Sequence, residues 1–164
     1  MSKLIIIRGN SASGKTTTAR ALQQKLGQNT MVISQDMVRR EILRVKDGFD
    51  TLALPLMKEM LLYGQKHCRF VILEGIMKAE WYQPLFAFAR ELFGDQIYAW
   101  YFDLPFEETL RRHAGSDKAK EFGETEMRRW WNEKDFLPEI PEKILSAELS
   151  QDQILARILD DIGL

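Results

Sequence analysis

LIIIRGNSASGKTTTAR, residues 4–20, is the stretch of sequence that decides the fold. Its first four residues are all apolar and offer no polar face, which predicts a strand buried on both sides of a sheet. Residues 15–26 have the composition of a helix, and Gly27 is a typical residue to end one. Small residues and a lysine connect the two elements. The stretch therefore predicts a strand, a tight loop and a helix in direct succession.

The loop matches the pattern G-x-x-x-x-G-K-[ST] through Gly9, Gly14, Lys15 and Thr16. Gly9 lets the backbone turn out of the strand, and Gly14 permits positive φ and close approach to an anion. Successive backbone N–H groups then point inward and the helix adds its positive end, so the loop suits a phosphate. We expect Lys15 to reach the β- and γ-phosphates of a nucleotide and the Thr16 hydroxyl to ligate Mg²⁺. The alternative is an ordinary glycine-containing turn with a surface lysine. The predicted nucleotide-binding residues are Gly9, Ser11, Ala12, Ser13, Gly14, Lys15, Thr16 and Thr17.

Apolar runs of strand length alternate with helical patterns along the rest of the chain. The further predicted strands are 31–34, 69–75, 97–103 and 142–147, and the further predicted helices are 36–45, 51–67, 79–94, 105–114 and 150–162. This alternation predicts an α/β domain with a mostly parallel sheet covered on both faces. Such sheets bind ligands at the carboxyl ends of their strands, where Gly9, Asp36, Glu74 and Asp103 fall.

The composition is that of a soluble globular protein, and residues 1–164 are expected to form one domain. The 23 basic and 24 acidic residues give a net charge of −1, which disfavours a strongly basic nucleic-acid binder. Cys68 is the only cysteine, so an intrachain disulfide and a site with several cysteine ligands are both excluded. The apolar run before Arg8 is too short for a signal-peptide core or a membrane span. We therefore expect a cytoplasmic protein with no membrane partner.

The motif in its strand–loop–helix context resembles the P-loop kinases of the AAA_33 and zeta-toxin-like type. That group includes polynucleotide kinases, chloramphenicol phosphotransferases and zeta toxins, and it is distantly similar to shikimate and gluconate kinases. The resemblance covers almost the whole chain. It implies a P-loop NTPase fold with a five-stranded parallel sheet in the order 2-3-1-4-5, helices on both faces and a lid.

Acidic residues at two strand ends are candidates for catalysis and metal binding. A carboxylate at Asp36 would face the γ-phosphate, where it accepts or orients the proton of an attacking hydroxyl. Polynucleotide kinases and zeta toxins have D-x-x-R at this point, so the resemblance implies that Asp36 is the base and that Arg39 binds substrate. Glu74 lies near the end of FVILEG, residues 70–75, which resembles a Walker B strand, and we expect it to hold Mg²⁺ through water or to bind the acceptor.

Each of these acidic residues also has an ordinary structural interpretation. Asp36 is a favoured residue for a helix N-cap, with Arg39 as its partner in a surface salt bridge. Glu74 has the alternative of a strand-end carboxylate that accepts from backbone donors. For Asp103 we expect the ordinary role, capping of the helix that begins at Pro105.

Phosphoryl transfer needs positive charge over the migrating group and exclusion of water. In the kinases that the chain resembles, arginines of a mobile lid supply both, and residues 112–130 are the expected lid. Arg112 and Arg128 are the expected catalytic arginines. The family commonly has a second arginine where this chain has Ser116, and we expect Arg128 to take its place. The alternative is a solvated, charged loop and helix face.

Together these residues predict an ATP- and Mg²⁺-dependent phosphotransferase that moves the γ-phosphoryl group to a hydroxyl of a metabolite, nucleoside or antibiotic. A switch GTPase would show D-x-x-G after the third strand and N-K-x-D later, whereas the third strand ends ILEG and N-K-x-D is absent. Three alternatives remain. One is a 5′-hydroxyl of nucleic acid as acceptor, which the near-neutral charge disfavours, and another is a regulatory module that hydrolyses ATP slowly. The third, a toxin kinase acting on a sugar nucleotide, ranks lower because the short chain lacks obvious room for large substrate-binding insertions. The preference for ATP or GTP and the oligomeric state stay open.

Overall fold

The computed structural model describes residues 1–164, which build a parallel sheet with helices on both faces. The strands are β1 (Lys3–Gly9), β2 (Thr30–Ser34), β3 (Phe70–Gly75), β4 (Ile97–Phe102) and β5 (Lys143–Leu145). All neighbouring strands are parallel, and their order is β2-β3-β1-β4-β5. This confirms the predicted sheet and its order. None of the helices is long and apolar enough to cross a membrane.

Seven α-helices cover the sheet. They are α1 (Lys15–Leu26), α2 (Gln35–Met37), α3 (Ala53–His67), α4 (Ala79–Phe93), α5 (Phe106–Ala114), α6 (Glu124–Trp130) and α7 (Gln151–Asp161). A π-helical segment, Val38–Leu43, continues α2, and a 3₁₀ turn, Asp117–Lys120, precedes α6. The predicted helix at 36–45 is therefore shorter than expected and changes its hydrogen bonding after one turn. The predicted lid, residues 112–130, contains a short helix, α6, that its polar sequence did not indicate.

The alternative interpretation of Asp36 as the N-cap of α2 was wrong. Ser34 occupies the N-cap, and its hydroxyl accepts a hydrogen bond from the backbone N–H of Met37 at 3.4 Å. Asp36 lies inside the first turn instead, where a carboxylate interacts favourably with the positive end of a helix. Its side chain is therefore not engaged in capping.

The two faces of β1 explain its unbroken apolar run. Leu4 and Ile6 pack with α3 and α4 in one core cluster, whereas Ile5 and Ile7 pack with α1 and α7 in the other. All four residues have no exposed surface. Because successive side chains of a strand point to opposite faces, a central strand with helices on both sides needs apolar residues at every position.

The strand register brings the predicted site residues to one edge of the sheet. Ile7 of β1 lies opposite Glu74 of β3, and Ser34 of β2 lies opposite the same Glu74. Gly9 of β1 lies opposite Phe102 of β4. The loop that follows β1, the start of α2 and the end of β3 therefore meet at the carboxyl edge of the sheet.

Candidate functional site

The loop between β1 and α1, here called the P-loop (residues 9–16), has the backbone that its glycines predict. Gly9 and Gly14 have φ of +149° and +107°, and Ala12 has φ of +62°. A Cβ atom on Gly9 would lie 2.9 Å from both the Cβ of Phe102 and the Oγ of Ser13, so only glycine fits there. Gly14 is the N-cap of α1, where no side chain accepts a capping hydrogen bond. The backbone N–H groups at this helix end suit an anion.

Lys15 is buried at the start of α1, against the P-loop backbone. Its Nζ donates a hydrogen bond to the carbonyl of Asn10 at 2.7 Å and to the hydroxyl of Ser13 at 3.4 Å. Burial lowers the pKa of Lys15 to about 8, and the negative charge of Glu74 partly opposes this shift. The ammonium group is therefore held inside the loop with one strong acceptor, and the burial that lowers its pKa makes an anion a favourable partner.

Thr16 and Glu74 form the oxygen-lined part of the site. The Thr16 hydroxyl donates a hydrogen bond to Glu74 Oε1 at 3.1 Å, and Glu74 is 2% exposed at the end of β3. Carboxylate and hydroxyl oxygens are hard ligands of the kind that Mg²⁺ prefers. No group of three or more histidine, cysteine, aspartate and glutamate residues is placed to hold a metal by itself. The residues present fit a Mg²⁺ ion that keeps water ligands and is shared with bound phosphates.

Asp36 lies among three positively charged side chains. Its carboxylate is 2.9 Å from Nε of Arg40, 3.4 Å from a terminal nitrogen of Arg39 and 3.9 Å from Nζ of Lys118. The first two come from the π-helical segment, and the third comes from the distant 3₁₀ turn that precedes α6. The predicted pair of Asp36 and Arg39 is therefore formed. The lysine from the predicted lid was not foreseen as a partner.

A polar network lies beside this carboxylate, and sequence reasoning missed it. Gln35 Nε2 donates to the Tyr82 hydroxyl at 2.8 Å, and that hydroxyl donates to Asp47 Oδ1 at 2.7 Å. Burial is the main cause that raises the pKa of Tyr82 above its usual value. Asp47 also lies 3.9 Å from Nε of Arg39. The network fixes the loop after the π-helical segment next to Asp36, and nothing local in the sequence distinguishes its three members.

The two predicted lid arginines lie in different surroundings. Arg112 of α5 donates to the backbone carbonyl of Ser13 at 2.9 Å and also pairs with Glu108. Arg128 of α6 pairs with Glu124 one turn earlier at 2.8 Å, and its hydrogen bonds are all within that helix. The structure thus brings Arg112 to the P-loop and leaves Arg128 on the exposed face of α6.

Arg8 is a second group that the sequence reasoning did not single out. It precedes Gly9 in β1 and is fully buried. Its guanidinium donates to the carboxylates of Asp135 at 2.8 Å and Glu142 at 2.9 Å, and to the carbonyl of Met77 at 3.0 Å. The sequence did contain a signal for this group: an arginine at the end of a buried apolar strand indicates a buried charge, and a buried charge requires partners. Those partners lie 127 and 134 residues away in the sequence.

The expected capping role of Asp103 was also wrong. Its carboxylate accepts a hydrogen bond from Nζ of Lys134 at 2.6 Å. The N-cap of α5 is Pro105, with no side-chain capping bond. Asp103 therefore ties the end of β4 to the chain that follows α6.

The sheet order and the P-loop define the P-loop NTPase fold. The chain belongs to the AAA_33 family, because the family model described as an AAA domain matches residues 4–135. No curated protein matches the sequence.

Solved structures share this fold at low sequence identity. A gluconokinase from Sinorhizobium meliloti 1021 superimposes with a TM-score of 0.68 at 15% identity, covering 98% of this chain and 95% of its own. The tunicamycin resistance protein of Deinococcus radiodurans superimposes with a TM-score of 0.66 at 17% identity, covering 100% of this chain and 97% of its own. The APS kinase of Mycobacterium tuberculosis, solved with AMPPNP and APS, superimposes with a TM-score of 0.60 at 22% identity, covering 97% of this chain and 96% of its own. The likeness thus extends over nearly the whole of each chain.

Proposed function

We propose that the protein is an ATP- and Mg²⁺-dependent kinase that transfers the γ-phosphoryl group to a hydroxyl of a small-molecule acceptor. In this proposal residues 1–164 form one kinase domain, with residues 112–130 as its lid. The observation that carries the proposal is the position of Asp36. A carboxylate at the same sheet edge as the P-loop, ringed by cations, suits an enzyme that delivers a hydroxyl to a phosphate.

The charges of the site support this assignment of roles. Burial is the main cause of the lowered pKa of Lys15; among the surrounding charges, Lys118 lowers this pKa further and Asp36 raises it. Asp36 is therefore close enough to the P-loop for its charge to be felt there. A module that only binds nucleotide has no need of an acidic residue at this point, so the geometry favours an enzyme over a binding module.

The proposed chemistry is a single displacement at phosphorus. The P-loop N–H groups and Lys15 bind the β- and γ-phosphates, and Lys15 gives up its hydrogen bond to the Asn10 carbonyl to do so. The acceptor oxygen forms a new bond to the γ-phosphorus while the bond from that phosphorus to the β-γ bridging oxygen breaks, and ADP leaves. Asp36 receives or orients the acceptor proton, and Arg39 binds the acceptor beside it.

Thr16 and Glu74 are the residues that would hold Mg²⁺, Thr16 directly and Glu74 through water. Such an ion would neutralise phosphate charge that the protein's own cations leave uncompensated. Arg112 would move from the Ser13 carbonyl to a phosphate oxygen, since a charged acceptor makes the stronger hydrogen bond. Arg128 would act in the same way only if α6 turned toward the P-loop.

The acceptor class rests on charge and on the structural relatives. The net charge of −1 gives no general attraction for a polyanion. Two of the relatives carry the names gluconokinase and APS kinase. We therefore place a small acceptor ahead of a nucleic-acid 5′-hydroxyl. The regulatory ATPase ranks below both.

The proposal is tested by incubating the protein with Mg²⁺, γ-labelled ATP and a panel of sugars, nucleosides, antibiotics and 5′-hydroxyl oligonucleotides. A labelled acceptor is expected from the small-molecule set, and Asp36→Asn is expected to abolish the label while nucleotide binding persists. Label on the oligonucleotides, with transfer that falls steeply as salt rises, would favour the polynucleotide acceptor. Slow ATP hydrolysis that no compound of the panel stimulates would favour the regulatory module.

A further inference from the structure

The chain that follows α6, here called the post-lid segment (residues 131–142), is tied to the sheet edge that carries the P-loop. The ties are Asn132 with Asn10, Lys134 with Asp103, and Asp135 with Arg8. Each partner lies at or just beyond the carboxyl end of β1 or β4. The C-terminal end of the predicted lid is therefore attached to the same structural edge that would hold the nucleotide.

The tie between Asn10 and Asn132 reaches into the P-loop itself. Asn10 Nδ2 donates to the backbone carbonyl of Asn132 at 2.8 Å, and the backbone N–H of Asn132 donates to Asn10 Oδ1 at 2.8 Å. Asn10 is 6% exposed. Only an amide side chain offers a donor and an acceptor in this arrangement. The pair depends on the side chain of Asn10 and on the main chain of Asn132.

Asn10 is also the residue that holds Lys15. The carbonyl of Asn10 accepts the 2.7 Å hydrogen bond from Lys15 Nζ, so one residue contacts the phosphate-binding lysine through its main chain and the end of the predicted lid through its side chain. The other end of the predicted lid also meets the P-loop, since Arg112 donates to the Ser13 carbonyl at 2.9 Å. The start of residues 112–130 and the post-lid segment that follows them are thus both connected to the P-loop by hydrogen bonds.

We propose that Asn10 is a positioning residue that couples occupancy of the P-loop to the conformation of residues 112–130. A triphosphate in the loop draws Lys15 away from the Asn10 carbonyl and orders the backbone at Asn10. The paired amide bonds pass this ordering to Asn132, two residues beyond the end of α6. Because coupling between two sites is reciprocal, fixing the post-lid segment also favours the nucleotide-bound loop. The inference rests on nucleotide binding as proposed above and adds a role for a residue outside the G-K-[ST] core of the motif.

Hydrogen–deuterium exchange of residues 112–130, with and without Mg²⁺ and AMPPNP, tests the proposal. In the wild-type protein AMPPNP is expected to slow exchange in this segment. In Asn10→Ala the Kd for AMPPNP should rise by up to the factor by which the coupling is lost, because the coupling is reciprocal, so exchange is compared at AMPPNP concentrations that saturate each variant. The factor by which AMPPNP slows exchange in residues 112–130 should be smaller by roughly tenfold or more than in the wild-type protein. The reason is that both hydrogen bonds between Asn10 and Asn132 are lost, and each shifts an equilibrium several-fold.

Two variants at Asn132 distinguish the loss of its main-chain hydrogen bond to Asn10 from the loss of its own side chain. Asn132→Pro removes the N–H that donates to Asn10, and Trp131 already has φ −64° and ψ 130°, which a following proline tolerates. Asn132→Ala keeps both main-chain bonds and removes only the side chain. The proline variant is expected to lose the AMPPNP-dependent slowing, and the alanine variant is expected to keep it.

The results that would overturn the proposal are distinct from those that would overturn the kinase function. Normal AMPPNP binding with wild-type slowing in both Asn10→Ala and Asn132→Pro overturns the coupling alone. The coupling is also overturned if these variants exchange faster to an equal degree with and without AMPPNP, because that is a purely structural effect. A wild-type protein that binds no AMPPNP overturns both proposals.

Discussion

Arg8→Met should destabilise the folded protein by about 3 kcal/mol at pH 8, because it leaves two carboxylates near the core without their shared cation. Methionine keeps an unbranched stem but removes the guanidinium, whose central carbon lies 5.6 Å from the ring centroid of Phe86 and 5.5 Å from that of Tyr101. Removing one partner of a buried ion pair costs about 3–5 kcal/mol. The lower end applies here because each carboxylate keeps a backbone donor: Ala79 N–H for Asp135 and Leu137 N–H for Glu142.

The penalty should depend on pH in a definite direction. Burial raises the pKa of Glu142 above its ordinary value of 4.5, and Arg8 opposes that shift. A carboxyl group with a raised folded-state pKa binds its proton more tightly in the folded state, so stability falls as pH rises from about 4.5 through the folded-state value. Removing Arg8 raises the folded-state pKa of Glu142 further. The loss of stability is therefore expected to be smaller at pH 5 than at pH 8.

Urea unfolding of the wild-type protein, Arg8→Met and the double variant Arg8→Met/Glu142→Gln at pH 5 and pH 8 measures this effect. The double variant should recover at least about 1 kcal/mol of the loss at pH 8, since a neutral amide needs no cation. A penalty below about 1 kcal/mol at pH 8, or an equal penalty at both pH values, would refute the reasoning. So would a double variant that is less stable than Arg8→Met.

Three further predictions concern the proposed chemistry. Burial lowers the pKa of Lys15 to about 8, so the lysine loses its charge as pH rises through that value. Calorimetry of the wild-type protein should therefore show AMPPNP binding that weakens from pH 7.5 to 9.5. The variant Lys15→Met should bind AMPPNP weakly at every pH in this range. Asp36→Asn should keep the Kd for AMPPNP within about threefold and lower turnover on a verified acceptor by roughly 10²- to 10⁴-fold, so full activity would disprove the base assignment. Glu74→Gln should raise the Mg²⁺ concentration for half-maximal activity by about tenfold or more; an unchanged Mg²⁺ titration would exclude Glu74 from the metal site.

The sequence by itself determined the P-loop and the class of fold, because both depend on local patterns. The four apolar residues at 4–7 can all be buried only in a strand that lies between two helical layers. Gly9 and Gly14 have the backbone conformations that their motif requires. The pairing of Asp36 with Arg39 was also predictable, since residues three apart on a helix share a face. Sequence spacing is sufficient wherever the interacting groups belong to one element.

Only the tertiary structure decided which distant groups meet at the sheet edge. Arg8 indicates a buried charge, but its partner Asp135 lies 127 residues away, and Asn10 meets Asn132 across 122 residues. Arg112 and Arg128 are equivalent as sequence, yet α5 brings the first to the P-loop while α6 keeps the second paired with its own helix. The chemistry of a side chain determines which kind of partner it requires, whereas the path of the chain after α6 determines which residue is that partner.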